Sequence, residues 1–358
     1  MTTYKIVAKK NILCIWLLTG LILCTLLIFP TQCRNGATNG IFLCIQVLIP
    51  SLLPFMILSS FLVSSNILCY TPKFLGVINR VLFGLPEVSL GVIFLSVIGG
   101  YPVGACGIKA LYEDGHITQK QAQRMALFCV SSGPGFLVTY FGATMLRDIK
   151  TGYILFISQI ISVIILGIFS RFAVKTDDLH LPKPKPRLKV KEALIKAVNS
   201  SINNSLKISV LVILFATASE VFLTLTTENT DLKPLVGLIE ITNGIKVTAG
   251  NFSAPLISFL CGFAGLCVHL QIFSQLENIR FSKGKFYLFR AAQGILCALI
   301  TGIILSFFPV AEETISTVSY AKPEINSGIT GIIFLFITCL GFMISVRSLN
   351  LRKKSNKP

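Results

Sequence analysis

The sequence predicts an all-α polytopic membrane protein made of two pseudo-symmetric repeats with re-entrant hairpins and broken transmembrane helices. Long apolar segments, Gly/Pro interruptions inside them, and a similar order of these features in both halves support this prediction. Of the 358 residues, 53% are hydrophobic and 13% are charged, and the mean hydropathy is +0.77. Because soluble domains carry about 25% charged residues, this composition excludes a soluble globular protein and indicates a multi-pass protein of the cell membrane.

Two interruptions lie close together in the first half, GGYPVG at residues 99–104 and SSGPG at residues 131–135. Backbone N–H and C=O groups without partners are costly in hydrocarbon, so a broken helix persists at membrane depth only against protein or a wet cavity. A packing kink explains any single Gly or Pro equally well. A repeated pair of breaks predicts a cavity.

The second half repeats this order weakly. Residues 261–295 align with residues 98–136, and residues 234–244 align with residues 72–84. Internal duplication is common in transporter folds. The sequence therefore predicts an N-terminal transmembrane helix at 1–40, a first repeat at 41–174, a basic Pro-rich linker at 175–204, a second repeat at 205–346 and a basic tail at 347–358.

Charge and cysteine placement restrict the partners. The net charge is +17, but the basic residues lie between or beyond the apolar segments, where they follow the positive-inside rule and contact lipid headgroups. Membrane lipids are therefore expected partners, and nucleic acid is not. The 11 cysteines are scattered without metal-ligand spacing, which predicts no metal site and no disulfide framework.

Membrane topology stays open at this stage. The basic residues place both the linker and the C-terminal tail inside the cell. Five spans predicted before the linker then place the basic N-terminus outside, against the same rule. Whether the two repeats are parallel or inverted depends on this count.

Enzyme signatures are absent from the sequence. It contains no phosphate-binding loop, no HExxH and no GxSxG, so we expect no enzymatic activity and no cofactor. Any transport is then passive or coupled to an ion, with H⁺ and Na⁺ as the candidates.

Four motifs resemble a known family. GGYPVGA at 99–105, with the following GHIT connector and SSGPGF at 131–136, is similar to the first half of the YlbJ-like sporulation integral membrane proteins of the nucleoside-recognition Gate superfamily. LIEITNGI at 238–245 and GFAGLCVHLQ at 262–271 resemble the matching motifs of the second half. The resemblance covers residues 41–308.

The resemblance implies a spore-forming source and a role in making heat-resistant spores. It also implies movement of dipicolinic acid, pyridine-2,6-dicarboxylate, from the mother cell across the outer forespore membrane. Nucleoside carriers of the wider superfamily have acid-rich hairpin tips, whereas this chain has Asn79 and Arg80 where Glu240 stands in the second half. A nucleoside substrate is therefore disfavoured.

Helix breaks at membrane depth expose N-terminal N–H groups with partial positive charge, which suit carboxylates. The predicted substrate-binding residues lie at or near these breaks. They are Gly99, Gly100, Tyr101, Pro102, Gly104, Lys109, Ser131, Ser132, Gly133, Pro134, Glu240, Thr242, Asn243, Gly244, Gly262, Gly265, His269 and Gln271.

Two charged residues among them each have two interpretations. Glu240 lies in an apolar segment, where a carboxylate costs about 2.5–3.5 kcal/mol. It either couples a proton or cation and contacts the pyridine nitrogen, or it caps a broken helix. Lys109 either pairs with a dicarboxylate or extends its amine to the membrane interface.

Each of the uncharged polar candidates also has two interpretations, one in substrate binding and one in structure. His269 either titrates near neutral pH and donates to the ligand or is a satisfied core residue. Tyr101, Ser131 and Ser132 either bind the ligand or satisfy kinked backbone.

Two classes of function follow. The first is a transporter or facilitator of a small organic anion, with a nucleoside-type or other ion-coupled carrier as its variant. The second is a structural membrane component of the sporulation machinery that conducts nothing.

Overall fold

The computed structural model describes residues 16–17, 19–70, 72–173, 188–226, 235–248 and 253–308. All of them belong to one compact unit, Met1–Ile315. Within these ranges the chain forms helices and turns and no strand, which confirms the all-α prediction. The end of the predicted second repeat (309–346), the predicted tail at 347–358 and the first part of the predicted linker lie outside the described residues.

Five helices in the described part of the chain are long and apolar enough to cross a membrane. They are Pro30–Ser64, Ile149–Phe172, Val190–Leu225, Ala254–Gln275 and Lys283–Phe307. The prediction of a polytopic membrane protein is therefore confirmed.

The chain begins with α1 (Thr19–Ile28), followed by α2 (Pro30–Leu43), a π-helical turn (Cys44–Leu48) and α3 (Ile49–Ser64). Helices α2 and α3 form one continuous span that crosses residues 40 and 41, and the domain boundary proposed there stays a prediction. Pro30 suits the first turn of a helix. Gly36 and Gly40, spaced one turn apart, let α2 pack closely on a later helix, Val190–Leu225, since a Cβ on Gly36 would lie 2.6 Å from the Cα atom of Thr217.

The next three helices are α4 (Lys73–Phe83), α5 (Ser89–Gly99) and α6 (Tyr101–Glu113). Gly84, with φ +58, ends α4 in the left-handed conformation that favours glycine. Gly100 separates α5 from α6, so the structure confirms the predicted break in GGYPVG.

Helix α7 (Gln119–Phe128) begins at a capping box. The side chain of Thr118 accepts from the Gln121 N–H, and the Gln121 side chain accepts from the Thr118 N–H, as the sequence predicts. The predicted interruption follows at residues 129–133, and the chain then forms a π-helix (Gly135–Met145) and α8 (Ile149–Ala173).

The predicted linker at 175–204 overlaps helix α9 (Val190–Leu225). The last 15 residues of the predicted linker, 190–204, are helical. Ala193, Ala197, Ser201 and Asn204 are buried at helical spacing, and this stripe packs on the bundle as an amphipathic face. Lys191 and Lys196 are exposed, and together with the Pro/Lys-rich sequence before them they suggested a solvated connector. Residue 205, the predicted start of the second repeat, lies in the middle of α9, and the division into repeats stays a prediction.

Five more helices complete the described chain. They are α10 (Val236–Ile239), α11 (Ile241–Thr248), α12 (Ala254–Phe263), α13 (Gly265–Gln275) and α14 (Lys283–Phe307). Glu240 separates α10 from α11, and Ala264 separates α12 from α13. Each half thus contains a broken helix followed by a helix with a hydroxyl N-cap, Thr118 in the first and Ser282 in the second. Duplication of the chain stays a prediction.

Candidate functional site

The two breaks of the first half touch each other. Gly100 has φ +88 and ψ −176, a combination available essentially only to glycine. A Cβ on Gly133 would lie 2.7 Å from the Ile98 carbonyl oxygen and 3.0 Å from the Gly100 nitrogen. The non-helical segment after α7 therefore packs directly on the break between α5 and α6.

The break in α12–α13 joins this pair through side-chain hydroxyls. Ser132 donates to the Tyr101 hydroxyl oxygen, and the Tyr101 hydroxyl donates to the carbonyl oxygen of Cys261. Because α12 ends at Phe263, this carbonyl belongs to the last turn, where helical partners are missing. Tyr101 thus satisfies an acceptor that the broken helix leaves open.

The break between α10 and α11 completes the arrangement. A Cβ on Gly265 would lie 3.0 Å from the Gly237 carbonyl oxygen, so α10 packs against the break of α12–α13. Glu240 Oε1 accepts from the Thr242 N–H at 3.0 Å, and Oε2 accepts from the Asn243 N–H at 2.7 Å. The Glu240 carboxylate therefore caps the N-terminus of α11.

The breaks at Gly100, Gly133 and Glu240 line a cavity of about 200 Å³, to which α13 contributes Val268 and Gln271. Nine predicted site residues line it: Gly99, Gly100, Tyr101, Pro102, Ser132, Gly133, Glu240, Thr242 and Gln271. The structure therefore brings half of the predicted set to one cavity.

The remaining predicted residues lie outside the cavity lining. They are Gly104, Lys109, Ser131, Pro134, Asn243, Gly244, Gly262, Gly265 and His269. Several of these glycines serve close helix packing. A Cβ on Gly104 would overlap the Cys129 carbonyl oxygen at 1.9 Å, and one on Gly262 would lie 2.7 Å from the Gly294 Cα atom.

His269 packs inside the protein and does not line the cavity. It is fully buried, and its Nε2 lies 2.7 Å from the Phe263 carbonyl oxygen at the end of α12. The rings of Phe263, Phe286 and Tyr287 contact its ring edge-on, with centroids 4.9–5.3 Å away. His269 therefore contacts the last turn of α12 beside the break, its Nδ1 has no hydrogen-bond partner among the described residues, and its role in substrate binding stays a prediction.

Lys109 is half-buried on α6 and supplies no charge to the cavity lining. The described residues contain instead two buried arginines that the sequence reasoning missed. Arg290 donates to the carbonyl oxygens of Leu127 (2.6 Å) and Val130, at the end of α7. Arg124 donates to carbonyl oxygens at the end of α4. Both guanidinium groups complement the negative C-terminal ends of helices. Arg290 lies within an apolar segment of the sequence, and this placement was a signal from which its burial could have been predicted.

The other lining residues are mostly apolar and were also missed. They are Leu43, Val47, Leu48, Pro50, Ser51, Leu52, Phe55, Ile98, Gly135, Phe136, Val212, Ile241 and Val268. Seven of them belong to the continuous span formed by α2 and α3. Pro50, in the middle of that span, was the available sequence signal.

Together these features define the class of protein: an all-α polytopic membrane protein with a small cavity where several broken helices meet. The chain is similar to the sporulation integral membrane protein YlbJ of Bacillus subtilis (strain 168), with 25% identity over 346 residues that cover 85% of this chain and 84% of that protein. The resemblance to YlbJ-like proteins that the motifs indicated is confirmed. No family model and no solved structure matches the chain, and membership of the Gate superfamily stays a prediction.

Proposed function

We propose that the chain carries a small organic anion across a membrane during sporulation, and that dipicolinic acid is this anion. It would move from the mother cell across the outer forespore membrane. The cavity enclosed by the helix breaks is the observation on which the proposal rests. The similar protein YlbJ is named for sporulation, which supports the setting, and the motif resemblance supplies the substrate.

The size of the cavity fits a single substituted ring. An apolar cavity of about 150 Å³ in another protein binds benzene, and this one is about 200 Å³. Leu52, Phe55 and Phe136 provide apolar wall, while the side chains of Ser132 and Gln271 provide hydrogen-bonding groups. Mainly apolar walls with a few polar groups are typical of small-molecule sites.

We also propose that the chain acts as a carrier and not as an enzyme, with transport that is passive or coupled to an ion. Broken helices facing a shared cavity are typical of secondary transporters. A helix break that served only packing would not need a cavity beside it.

A matched pair of glycine substitutions tests the proposal. A Cβ on Gly135, in the cavity wall, would meet only the Ser51 Cβ at 4.0 Å, so Gly135→Leu places its side chain in open space. Gly302 on α14 lies outside the lining and is equally open, with the Pro255 Cγ at 4.0 Å. Gly302→Leu is therefore the control.

Spore dipicolinate content is the readout, measured with protein level and membrane location. We expect spores of the Gly135→Leu strain to contain much less dipicolinate at normal protein abundance, and spores of the Gly302→Leu strain to match wild type. A non-conducting scaffold would tolerate both changes. Normal dipicolinate in Gly135→Leu spores, together with no uptake of labelled dipicolinate by proteoliposomes, would overturn the proposal.

A further inference from the structure

A buried positive charge lies close behind the cavity wall. The Arg290 side chain, on α14, is fully buried, and it donates to the carbonyl oxygens of Leu127 (2.6 Å) and Val130. Ser132, two residues after Val130, lines the cavity. Two residues of extended chain span about 7 Å, so the guanidinium group lies within roughly 10 Å of the Ser132 side chain.

The charge of Arg290 has no carboxylate partner among the described residues. The titratable side chains that interact with it are the Tyr101 hydroxyl and the thiols of Cys129 and Cys297, and groups of these kinds are uncharged at neutral pH. A guanidinium group keeps its proton in proteins, whereas the end of α7 supplies only about half of a negative elementary charge. Arg290 therefore adds net positive charge beside the cavity.

A charge in this position can act on a solute without touching it. At roughly 10 Å and an effective dielectric constant of about 20, one positive charge strengthens the binding of a unit negative charge by a factor on the order of ten. No lysine or arginine occurs among the described lining residues, so direct contact with a cation of the wall does not supply this attraction. Capping of α7 alone would need hydrogen-bond donors but not a full charge, which is costly within a membrane span.

We propose that Arg290 is the residue that makes the cavity select an anionic solute over a neutral one of the same shape. This inference rests on the proposed function. The guanidinium group stays on its two carbonyl partners and acts through its electric field, while the solute binds beside Tyr101 and Ser132. Glu240 also lines the cavity, and because it is common to all the proteins compared below, its contribution cancels in the comparison.

Three ligands of one shape test the proposal on wild-type protein. They are dipicolinate with two carboxylates, its monoamide with one, and the neutral pyridine-2,6-dicarboxamide. Equilibrium binding of each labelled ligand to the purified full-length protein gives three values of Kd. We expect the affinity to rise on the order of tenfold with each carboxylate. A neutral diamide that binds as tightly as dipicolinate would overturn the proposal, whether or not any variant folds.

Variants assign the preference to Arg290. Arg290→Gln keeps a donor for the end of α7 but removes the charge, so the preference for dipicolinate over the diamide should fall by about tenfold for each carboxylate. Arg290→Lys keeps the charge and should retain a preference within about threefold of wild type. Because the readout is a ratio of two Kd values measured on one preparation, a lower stability of the variant does not change it.

Arg124→Gln is the matched control. Arg124 is also buried, and it donates to the carbonyl oxygens of Phe83 and Gly84 at the end of α4. Neither of these two residues lines the cavity. Its loss should lower the stability of the protein and leave the ratio of the Kd values at the wild-type level.

The outcomes separate the two proposals. An Arg290→Gln protein with the wild-type preference, or an equal loss of preference in Arg124→Gln, would overturn the role of Arg290 and leave transport standing. Absence of dipicolinate binding by the wild-type protein, together with no uptake by proteoliposomes, would instead overturn the proposed function itself.

Discussion

The hydroxyl of Tyr101 donates a hydrogen bond to the carbonyl oxygen of Cys261. Tyr101 is the first residue of α6, just after the Gly100 break, and Cys261 lies in the last turn of α12, just before the Ala264 break. One hydrogen bond thus connects the broken helices of the two halves. It does so beside the cavity, because Tyr101 is also a lining residue.

Removing this hydroxyl should destabilise the protein. Tyr101→Phe removes the nearer of two hydroxyl donors to this buried carbonyl and leaves Ser132 Oγ at 3.5 Å, so the loss of one hydrogen bond costs about 0.5–1.5 kcal/mol. We expect a lower Tm for the purified protein in detergent. Tyr153→Phe, at an exposed position of α8, is the matched control and should leave the Tm unchanged. Equal Tm values for the two variants would show that the bond does not hold the two halves together.

The two breaks should respond oppositely to exchange of glycine and alanine. Gly100 has a conformation that alanine does not tolerate, and Gly100→Ala should cost about 1–3 kcal/mol. Ala264 has φ +78, a left-handed conformation that costs a non-glycine residue about 1–2 kcal/mol. Ala264→Gly relieves this strain, so we expect its Tm to equal or exceed that of wild type. Thermal unfolding of both variants checks the signs, and a large loss of stability in Ala264→Gly would contradict this account of the second break.

The packing of α2 on α9 should depend on its glycine stripe. Gly36→Leu forces a side chain into the backbone of Thr217, and overpacking of this kind costs about 1–3 kcal/mol or more. Gly20→Leu on α1 is the control, since a Cβ on Gly20 would meet no packing neighbour within 4 Å. We expect loss of folded protein in detergent for Gly36→Leu only. Similar yields and Tm values for both variants would contradict the close contact.

Hydropathy and helix breakers were sufficient to predict the all-α membrane class, the break at Gly100 and the capped start of α7. These features depend on local chemistry, namely lipid-compatible composition, the conformational freedom of glycine and the hydroxyl of Thr118. The helical start of α9 could not be predicted in the same way. The buried positions Ala193 and Ala197 identify a helix only once the partner surface is known, and the basic, Pro-rich sequence before them suggested a linker.

The site residues, too, could be predicted only where local sequence features mark them. Residues at the breaks, such as Gly100 and Glu240, were visible because they interrupt apolar sequence. Wall residues such as Leu52 and Val212 look like any lipid-facing side chain, so only the three-dimensional arrangement identifies them. His269 is the opposite case. A histidine within a predicted span suggested a role in substrate binding, but in the structure aromatic rings surround its side chain.

Stability should fall on mild acidification because of His116, which lies in the turn between α6 and α7, outside the spanning helices. Its Nε2 lies 2.8 Å from the Asn66 Oδ1. Burial lowers the pKa of His116 from its ordinary value of 6.5, and the nearby Asp114 carboxylate opposes this only in part. The folded protein therefore binds this proton less readily than the unfolded chain. Stability present above about pH 6.5 is lost as the pH falls toward the pKa of the folded state.

The matched variant is His116→Gln, whose side-chain amide can still donate to Asn66 but does not titrate in this range. Asp114 and its ion pair with Lys196, at 2.7 Å, are common to both proteins, so their contribution cancels in the comparison. We expect the Tm of wild type to drop more than that of His116→Gln between about pH 7.5 and about pH 5.5, where the histidine of the unfolded chain gains its proton. Parallel loss of Tm in the two proteins would assign the acid sensitivity to other groups and show that His116 accepts a proton in the folded state as easily as in the unfolded one.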